Sequence, residues 1–537
     1  MKKAHHDIET RPSSWNWAWI SALSCLVALF VTVPVTAQLI AADSDWFPGN
    51  ETQDRSGEAL AVGDFNGDGF DDLAVGIPEE DLITLVDAGS VRILFGGAGE
   101  GAGEVIDLVF HEGILAGGDA EAGDRFGSSL AVADFDLDGF DDLAIGIPGE
   151  SIMGNDNAGR VGVVYGSPGL SFDFSRATFF DQEVLAGGAD AGDEFGATLA
   201  AGRLGIEPHP DLVVGSPGEE VGGFSNAGAV NIIVSGSADG LGVVDHVFLH
   251  QNSSGVFGIA SPDDRFGAAL AIGDVTEDLR GDLLIGSPGD LVGLQPGSGA
   301  VQMLAGGSNG VVIASNQEIW NQDRDGLLGD SATGDEFGAS LALGDYDGDG
   351  DLDLAIGIPG ESQFGPNASG AVQVLYGDGA GLGVAGDQIF FENLISPEIA
   401  AFDRFGETLA ASDFSADGRD DLAIGYPLDN VLGTVNSGNV AILYGTSSGL
   451  QTAGAQLWNG FLLLTNEAGD ELGFALAAGN FKGTGGAGLA VGVPGRESSG
   501  GSAGAGGALV LRSQSVFSDD FERGHAARWS AVVPKGN

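Results

Sequence analysis

The feature that most constrains the fold is a unit of about 70 residues that occurs seven times along the 537-residue chain. In each copy a glycine, usually preceded by phenylalanine, is followed 19 positions later by the glycine of a Gly-x-Pro sequence. A fixed spacing between copies whose other residues differ indicates a conserved backbone path, with the variation absorbed by loops. Repeats of this length predict one architecture of repeated units rather than several unrelated domains. The first glycines are Gly57, Gly127, Gly196, Gly267, Gly338, Gly406 and Gly473, and the second are Gly76, Gly146, Gly215, Gly286, Gly357, Gly425 and Gly492.

The fifth repeat indicates the elements within one unit. A short apolar run at 339–343 precedes an acidic loop, and a second apolar run at 354–358 ends at Pro359, which cannot donate to a sheet ladder. A Gly-x-Val pattern that begins at Gly370 predicts a third strand, and runs such as 317–320 predict a fourth strand in each unit. Because no convincing amphipathic helix separates these units, seven four-stranded repeats predict an all-β fold, a seven-bladed β-propeller.

The predicted propeller occupies residues 38–514, and it must close into a ring. Leu39 and Ile40 lie where other repeats carry their fourth strand, whereas the seventh repeat lacks a good fourth strand after Leu511. We therefore expect the N-terminal segment to supply the outer strand of the last blade. The repeat cores lie near 53–96, 123–166, 192–236, 263–306, 334–377, 402–445 and 469–512.

Charge and composition exclude some partners. The chain has 20 basic and 78 acidic residues, a net charge of -58, which repels nucleic acid and anionic membranes and favours cations. Hydrophobic residues make up 43% of the chain and include 30 Phe, enough for a large core, so the acidity does not predict disorder.

The N-terminus resembles an export signal. Basic residues precede an apolar stretch at 15–33, and Val35, Thr36 and Ala37 supply small residues for cleavage, so residues 1–37 are predicted to be a signal peptide. The alternative is an uncleaved transmembrane anchor, since the stretch is near the length that spans a bilayer. With cleavage, no membrane span is expected and the protein is secreted or held at the cell surface. A tail at 515–537 departs from the repeat, and its role is open.

An acidic loop begins seven residues after the first glycine of each repeat. Calcium prefers six to eight hard oxygen ligands, and alternate side chains at positions one, three, five and nine, with the carbonyl at position seven, can surround one ion. A glycine at position six permits the sharp turn in four repeats. The predicted Ca²⁺ ligand sets are Asp64, Asn66, Asp68, Phe70 and Asp72; Asp134, Asp136, Asp138, Phe140 and Asp142; Asp345, Asp347, Asp349, Asp351 and Asp353; and Asp413, Ser415, Asp417, Arg419 and Asp421.

The alternative interpretation is that Asp, Asn and Gly only form turns between strands. Four loops with the same offsets favour calcium, because turn chemistry alone does not call for Asp at position nine. About four sites are therefore predicted, and a fifth in repeat four is doubtful because Thr276 and Leu279 replace a ligand and the glycine. In repeat three, Arg203 occupies position one and is predicted to replace the ion by pairing with Glu207 or Asp211.

Together, the Phe-Gly pair, the acidic loop and the Gly-x-Pro sequence resemble the FG-GAP repeats of the integrin α-subunit N-terminal propeller, which also occur in secreted bacterial proteins. The resemblance covers about 38–512 and implies a seven-bladed propeller with calcium in loops on one face and roles in adhesion or ligand binding. The chain departs from the pattern at Ser56 and Leu472, which replace Phe in the end repeats, and its intact loops lie in repeats one, two, five and six.

These observations favour a secreted, calcium-binding propeller that acts as a non-catalytic binding or adhesion module for an unknown extracellular protein or glycan. Two alternatives remain: a calcium-dependent carbohydrate-binding lectin, and the non-catalytic propeller of a surface enzyme complex. Enzymatic activity is not expected, because no nucleophile elbow or zinc signature is present and the histidines after the signal segment are scattered. They are His111, His209, His246, His250 and His525.

Overall fold

The fold is described by a computed structural model. It describes residues 37–41, 53–97, 107–169, 171–235, 240–307, 310–311, 317–362, 367–396, 400–460, 467–481, 486–497 and 504–511. The predicted signal peptide, apart from Ala37, and the predicted tail at 515–537 lie outside these residues.

Seven antiparallel four-stranded sheets form the blades of a ring, which confirms the predicted seven-bladed β-propeller. Blade 1 comprises Leu60–Gly63, Asp72–Ile77, Ser90–Leu94 and Asp107–Phe110; blade 2, Ser129–Ala133, Asp142–Ile147, Arg160–Ser167 and Ser171–Phe180; blade 3, Thr198–Gly202, Asp211–Ser216, Ala229–Ser235 and Leu241–Leu249; blade 4, Ala269–Gly273, Asp282–Ser287, Ala300–Leu304 and Glu318–Trp320. Blade 5 comprises Leu341–Gly344, Asp353–Ile358, Ala371–Gly377 and Leu382–Phe391; blade 6, Thr408–Ser412, Asp421–Tyr426, Asn439–Tyr444 and Gln451–Asn459; blade 7, Leu476–Gly479, Gly488–Gly492, Gly507–Leu511 and Ala37–Ala41.

Three short elements lie outside the blades. Gly306–Gly307 pairs with Gly310–Val311 in a small hairpin, and two 3₁₀ turns, Glu112–Ile114 and Glu392–Leu394, follow the last strands of blades 1 and 5.

The ring closes as the sequence predicts. The N-terminal strand Ala37–Ala41 pairs antiparallel with Gly507–Leu511, so the two ends of the chain share blade 7. If cleavage follows Ala37, the pairs from Gln38 with Val510 to Ala41 with Gly507 remain in the mature chain. Closure by strands from both ends ties blade 1 to blade 7 through one sheet.

The hydrophobic core lies between blades rather than inside them. The second strand of blades 1 to 6 is buried along its whole length, as in Asp353–Ile358, because it packs against neighbours on both faces. Each apolar cluster joins two adjacent blades; for example, Trp320 and Met303 of blade 4 pack with Leu354 and Leu375 of blade 5. Six further clusters join the other pairs of blades around the ring. No blade can therefore bury its apolar faces alone.

The packing of adjacent blades explains the two glycines that lie 19 positions apart in each repeat. The N–H of Gly338 donates to the carbonyl of Gly357 within blade 5. A Cβ on Gly286 of blade 4 would lie 2.1 Å from the carbonyl oxygen of Gly338. The same approach, at 2.1 to 2.3 Å, recurs at every junction and ends with Gly492 against Gly57. Backbone contacts this close tolerate only glycine at the second position, and the first glycine of each repeat has a φ between 88° and 96°, which also favours glycine.

Candidate metal centres

The acidic loops connect the first and second strands of each blade, so the ring places all of them at the same end of the propeller. The loop of blade 1 has a conformation set by its own side chains. The carboxylate of Asp64 accepts from the N–H of Asp68 at 3.0 Å and of Gly69 at 2.9 Å, and Asp68 accepts from Phe70 at 3.0 Å. Corresponding bonds form in the loops of blades 2, 5 and 6. The carboxylates are therefore drawn toward the interior of each loop.

Two of the loops gather three carboxylates. Oxygens of Asp345, Asp347 and Asp353 lie within 4.8 Å of one another in blade 5, and Asp134, Asp136 and Asp142 do the same in blade 2. In blades 1 and 6, Asn66 and Ser415 stand at position three, so neutral oxygens replace one carboxylate there. This is the donor chemistry that a hard divalent cation prefers.

Arginines distinguish these loops from one another. Arg176 of blade 2 pairs with Asp136 at 2.7 Å, and Arg419 of blade 6 pairs with Asp417 at 3.1 Å. Each guanidinium therefore forms an ion pair with a carboxylate that was predicted to bind calcium. Among the described ion pairs, none involves the predicted ligands of the blade 5 loop. Its three gathered carboxylates are therefore all available to bind a cation.

The aspartate at position nine has a structural role with or without a cation. Asp72 is fully buried, and its two oxygens accept from the N–H groups of Phe65 at 3.1 Å and Gly96 at 2.7 Å. Asp211 of blade 3 makes the same pair of bonds to Leu204 and Ser235, although its loop has lost the other ligands. Asp at position nine is consequently explained by the turn itself, and by itself it is not evidence for a metal.

Burial makes these aspartates weak acids. It raises the pKa of Asp72 and Asp142 to about 8 and that of Asp353 and Asp421 to about 7; hydrogen bonds from backbone N–H groups oppose this, and the other carboxylates of the loop add to it. A bound cation would relieve this repulsion between carboxylates.

The glycine at position six is required by the backbone alone. Gly69, Gly139, Gly350 and Gly418 have φ between 88° and 101°, and a Cβ there would meet nothing within 4 Å. Leu279 occupies this position in blade 4 with φ of 70° and a side chain that is 76% exposed. The blade 4 loop keeps the same form, since Asp274 accepts from Asp278 at 3.0 Å and from Leu279 at 2.8 Å.

Replacing Leu279 with glycine is expected to stabilise the protein, because a left-handed conformation costs a non-glycine residue about 1 kcal/mol. The exposed leucine side chain adds little packing to offset this. Chemical unfolding monitored by circular dichroism measures the gain. Leu279→Ala, which keeps the strained backbone, serves as the control and should gain little; equal stabilities of the glycine and alanine variants would contradict the prediction.

Arg203 does not replace an ion as expected. Its guanidinium donates to the carbonyl of Leu279 in blade 4 at 2.5 Å instead of pairing with Glu207 or Asp211. Asp211 is already satisfied by backbone donors, so it presents no open oxygen toward the arginine. The prediction of an intraloop pair was wrong because the sequence does not reveal that the loops of adjacent blades touch. In repeat seven, Asn480 donates its N–H to Asp71 at 2.6 Å, whereas Lys482 and Thr484 lie outside the described residues.

A second set of acidic residues, which the sequence analysis missed, lies at the junctions between blades. One aspartate lies two positions before the Phe of each Phe-Gly pair or its equivalent, as Asp264 does in blade 4. An acidic residue follows most Gly-x-Pro sequences, as Glu219 does in blade 3. Most residues of both types are buried. The sequence signal for these residues is their recurrence at fixed offsets from the Phe-Gly and Gly-x-Pro sequences.

The junction carboxyls predict how stability depends on pH. Burial raises the pKa of Glu219, Asp264 and Asp335 to about 7, above the values of about 4 expected in the unfolded chain. The folded state thus binds more protons, so its stability is greatest below about pH 4 and falls as pH rises toward 7. Melting temperature in chelator should decrease between pH 5 and 8. Glu219→Gln should reduce this slope; an unchanged slope would argue against the assignment.

Comparison with known proteins supports the fold and alters the functional expectation. The FG-GAP repeat family model matches residues 56–94, 126–164, 337–375 and 405–443, the repeats of blades 1, 2, 5 and 6. The chain is 28% identical over 387 residues to phosphatidylinositol-glycan-specific phospholipase D of Homo sapiens, covering 70% of this chain and 43% of that protein. It is 34% identical over 188 residues to the protein of the same name from Bos taurus, covering 34% of this chain and 21% of that protein.

Integrin α subunits are also similar. Integrin alpha pat-2 of Caenorhabditis briggsae is 30% identical over 198 residues, a match that covers 35% of this chain and 14% of that protein. The chain thus spans less than half the length of each of these relatives. Among the residues that the structure describes, no helix is both long enough and apolar enough to cross a bilayer.

These relatives correct two expectations. The non-catalytic binding or adhesion module and the absence of enzymatic activity are contradicted, because several similar proteins are phospholipases. The absence of a nucleophile elbow and of a zinc signature was therefore not a sufficient reason to exclude an enzyme. The resemblance in fold is confirmed by the matched repeats and by the integrin α relatives. Four of the repeats therefore match the FG-GAP repeat family, and all seven repeats form the blades of a β-propeller.

Proposed function

We propose that this chain acts in the enzymatic cleavage of phosphatidylinositol-glycan, with calcium bound in the loops of its propeller. The observation that carries this proposal is the similarity to phosphatidylinositol-glycan-specific phospholipase D. The match to the human protein covers 70% of this chain. The integrin match with Caenorhabditis briggsae covers 35%. The phospholipase similarity therefore includes more of the blades than the integrin similarity does.

Charge explains why such an enzyme would use calcium. The substrate carries a phosphodiester, and a chain with a net charge of -58 repels a phosphate group. A divalent cation held by Asp345, Asp347 and Asp353 would neutralise that loop and present positive charge to a phosphoryl oxygen. The blade 5 loop is the best candidate, because no described arginine pairs with its carboxylates. The loops of blades 1, 2 and 6 would hold the other calcium ions, so the loops together would bind about four ions.

Export fits this substrate. Residues 1–37 would direct the chain out of the cell, where it is secreted or held at the surface. The partner there would be the glycan part of the anchor or a protein that carries it.

Release of an anchored protein tests the enzymatic proposal. The purified chain is incubated with lipid vesicles that carry a reporter protein on a phosphatidylinositol-glycan anchor, and the reporter in the supernatant is measured after the vesicles are sedimented. We expect release with calcium and loss of release with a calcium chelator. Vesicles whose reporter is held by a transmembrane helix provide the control. No release by the folded, calcium-loaded chain would overturn the proposal.

Calcium removal should also lower stability. Each occupied loop gains about 3 kcal/mol when free calcium is 100-fold above its Kd. Differential scanning calorimetry should show a marked fall in melting temperature on chelation. Asp345→Asn should reduce the calcium-dependent increment, because Asp345 is a predicted ligand, while Asp274→Asn in blade 4 serves as the matched control. An unchanged melting temperature on chelation would contradict calcium binding in the loops.

A further inference from the structure

The junctions between blades carry a repeated buried arrangement away from the calcium loops. Each junction contains the aspartate two positions before the Phe of a Phe-Gly pair or its equivalent, and most contain an acidic residue after the Gly-x-Pro sequence. A third side chain comes from the end of the preceding blade, just after its fourth strand. The residue type of that third side chain differs from junction to junction. Junctions with different third side chains can therefore be compared within the one protein.

At three junctions the third side chain is a glutamine that donates to the acidic residue. Gln182 donates to Glu219 at 2.5 Å between blades 2 and 3, and Gln322 donates to Glu361 at 2.6 Å between blades 4 and 5. Gln251 donates to Asp290 at 3.3 Å between blades 3 and 4. A neutral donor at this position satisfies the buried carboxylate without adding charge.

The junction between blades 1 and 2 has a glutamate at the same position and compensates for it with an arginine. Oxygens of Glu112, Asp124 and Glu150 lie within 4.8 Å of one another. Arg160, in the third strand of blade 2, contacts Glu112 at 3.3 Å and Glu150 at 3.0 Å. The guanidinium supplies the positive charge that three buried carboxylates require.

The junction between blades 5 and 6 has the same three carboxylates without the arginine. Glu392, Asp403 and Asp429 are 1%, 0% and 5% exposed, and their oxygens lie within 4.8 Å of one another. Asn439 occupies the position equivalent to Arg160 and donates its amide to Asp429. Among the described ion pairs, none involves Glu392 or Asp403.

Unpartnered polar atoms converge on this junction. Both carboxylate oxygens of Glu392 and one oxygen of Asp403 are buried without a hydrogen-bond partner among the described residues. The hydroxyl of Tyr426 is also buried without a partner, at a position where the other blades carry Ile, Ser or Val. Burial, followed by the charges of Glu392, Asp429 and Asp403, raises the pKa of Tyr426 well above its usual value. Buried polar atoms without partners are rare, and several in one place indicate a missing ligand.

The electrostatics of Glu392 agree with this geometry. Burial is the main cause that raises its pKa to about 10, and the neighbouring Asp403 and Asp429 add to the effect. In the equivalent junction Arg160 opposes the rise in the pKa of Glu112, whereas no described cationic group does so for Glu392. A cation bound among these carboxylates would favour their ionised forms.

We propose that the junction between blades 5 and 6 binds one calcium ion through Glu392, Asp403 and Asp429. This ion would lie between blades and would be distinct from those of the exposed loops. Calcium–oxygen distances of about 2.3 to 2.6 Å allow ligand oxygens to be up to about 5 Å apart, in agreement with the observed cluster. The ion would fulfil at this junction the role that Arg160 fulfils between blades 1 and 2.

Counting bound calcium tests the site. Protein purified with calcium is dialysed to equilibrium against a fixed free calcium concentration, and calcium per chain is determined by metal analysis. Glu392→Gln, which copies the glutamine of the other junctions, should bind one ion fewer than the wild type. Glu112→Gln is the matched control and should bind the same number as the wild type, because Arg160 occupies its junction.

A second variant keeps the test decisive if Glu392→Gln folds poorly. Asn439→Arg copies the arginine of the junction between blades 1 and 2 and should also bind one ion fewer. In chelator, both variants should melt at a higher temperature than the wild type, because each removes the repulsion among the carboxylates. Equal calcium counts for Asn439→Arg and the wild type would overturn the proposal and would indicate that a shared proton satisfies the cluster.

Discussion

Replacing Gly286 with alanine should destabilise the protein by about 3 kcal/mol or more, as expected for a contact that cannot be relieved by a side-chain rotation. The added methyl carbon would lie 2.1 Å from the carbonyl oxygen of Gly338 in the next blade and 3.0 Å from the Cβ of Ala269. Relief of this clash requires blades 4 and 5 to separate, which opens the apolar cluster between them. Chemical unfolding with and without the substitution measures the loss.

Gly242→Ala is the matched control for this prediction. Gly242 also lies in a strand, Leu241–Leu249, but a Cβ there would meet no atom within 4 Å. Its substitution should change stability by less than about 1 kcal/mol. A similar small effect at Gly286 would show that the close glycine approach between blades is not required.

Deleting residues 38–41 should cause a loss of comparable size. These residues pair with residues 507–510, and removing them leaves most of the outer edge of blade 7 without its backbone partners. At about 1 kcal/mol for each lost backbone hydrogen bond, the expected destabilisation is about 4 kcal/mol. Melting temperature measured by calorimetry, with the protein in calcium, provides the test.

A synthetic peptide of residues 37–41, added in excess, should restore part of the lost stability because it can pair with the exposed edge. A scrambled peptide of the same composition should have no effect. If the deleted protein melts at the same temperature as the full chain, ring closure by this strand makes no contribution to stability.

The junction carboxylates connect stability with the proposed calcium chemistry. Burial stabilises the protonated form of these carboxyl groups. A neighbouring arginine, glutamine or bound cation instead stabilises the ionised carboxylate. Arg160 and Gln322 represent two of these solutions within one chain. The repeats thus share a backbone and differ in how each junction compensates buried charge.

Much of the fold could be predicted from the sequence, because the repeat constrains it locally. The Gly-to-Gly spacing, the apolar runs and the position of Leu39 and Ile40 were enough to predict seven blades and the strand that closes the ring. The sequence also identified the loops that collect carboxylates, as at Asp345 and Asp347. These features depend on residues near one another along the chain, or on one repeated period.

Contacts between repeats were decided only by the tertiary structure. The sequence could not reveal that Arg203 reaches the loop of the next blade, that Arg176 occupies Asp136, or that Asp72 is held by backbone donors. It also gave no reason to group Glu392 with Asp429, because they come from different blades and meet only where blades 5 and 6 pack together. Local spacing determines a blade, whereas the charge environment of a buried carboxylate depends on which side chains the neighbouring blade places beside it.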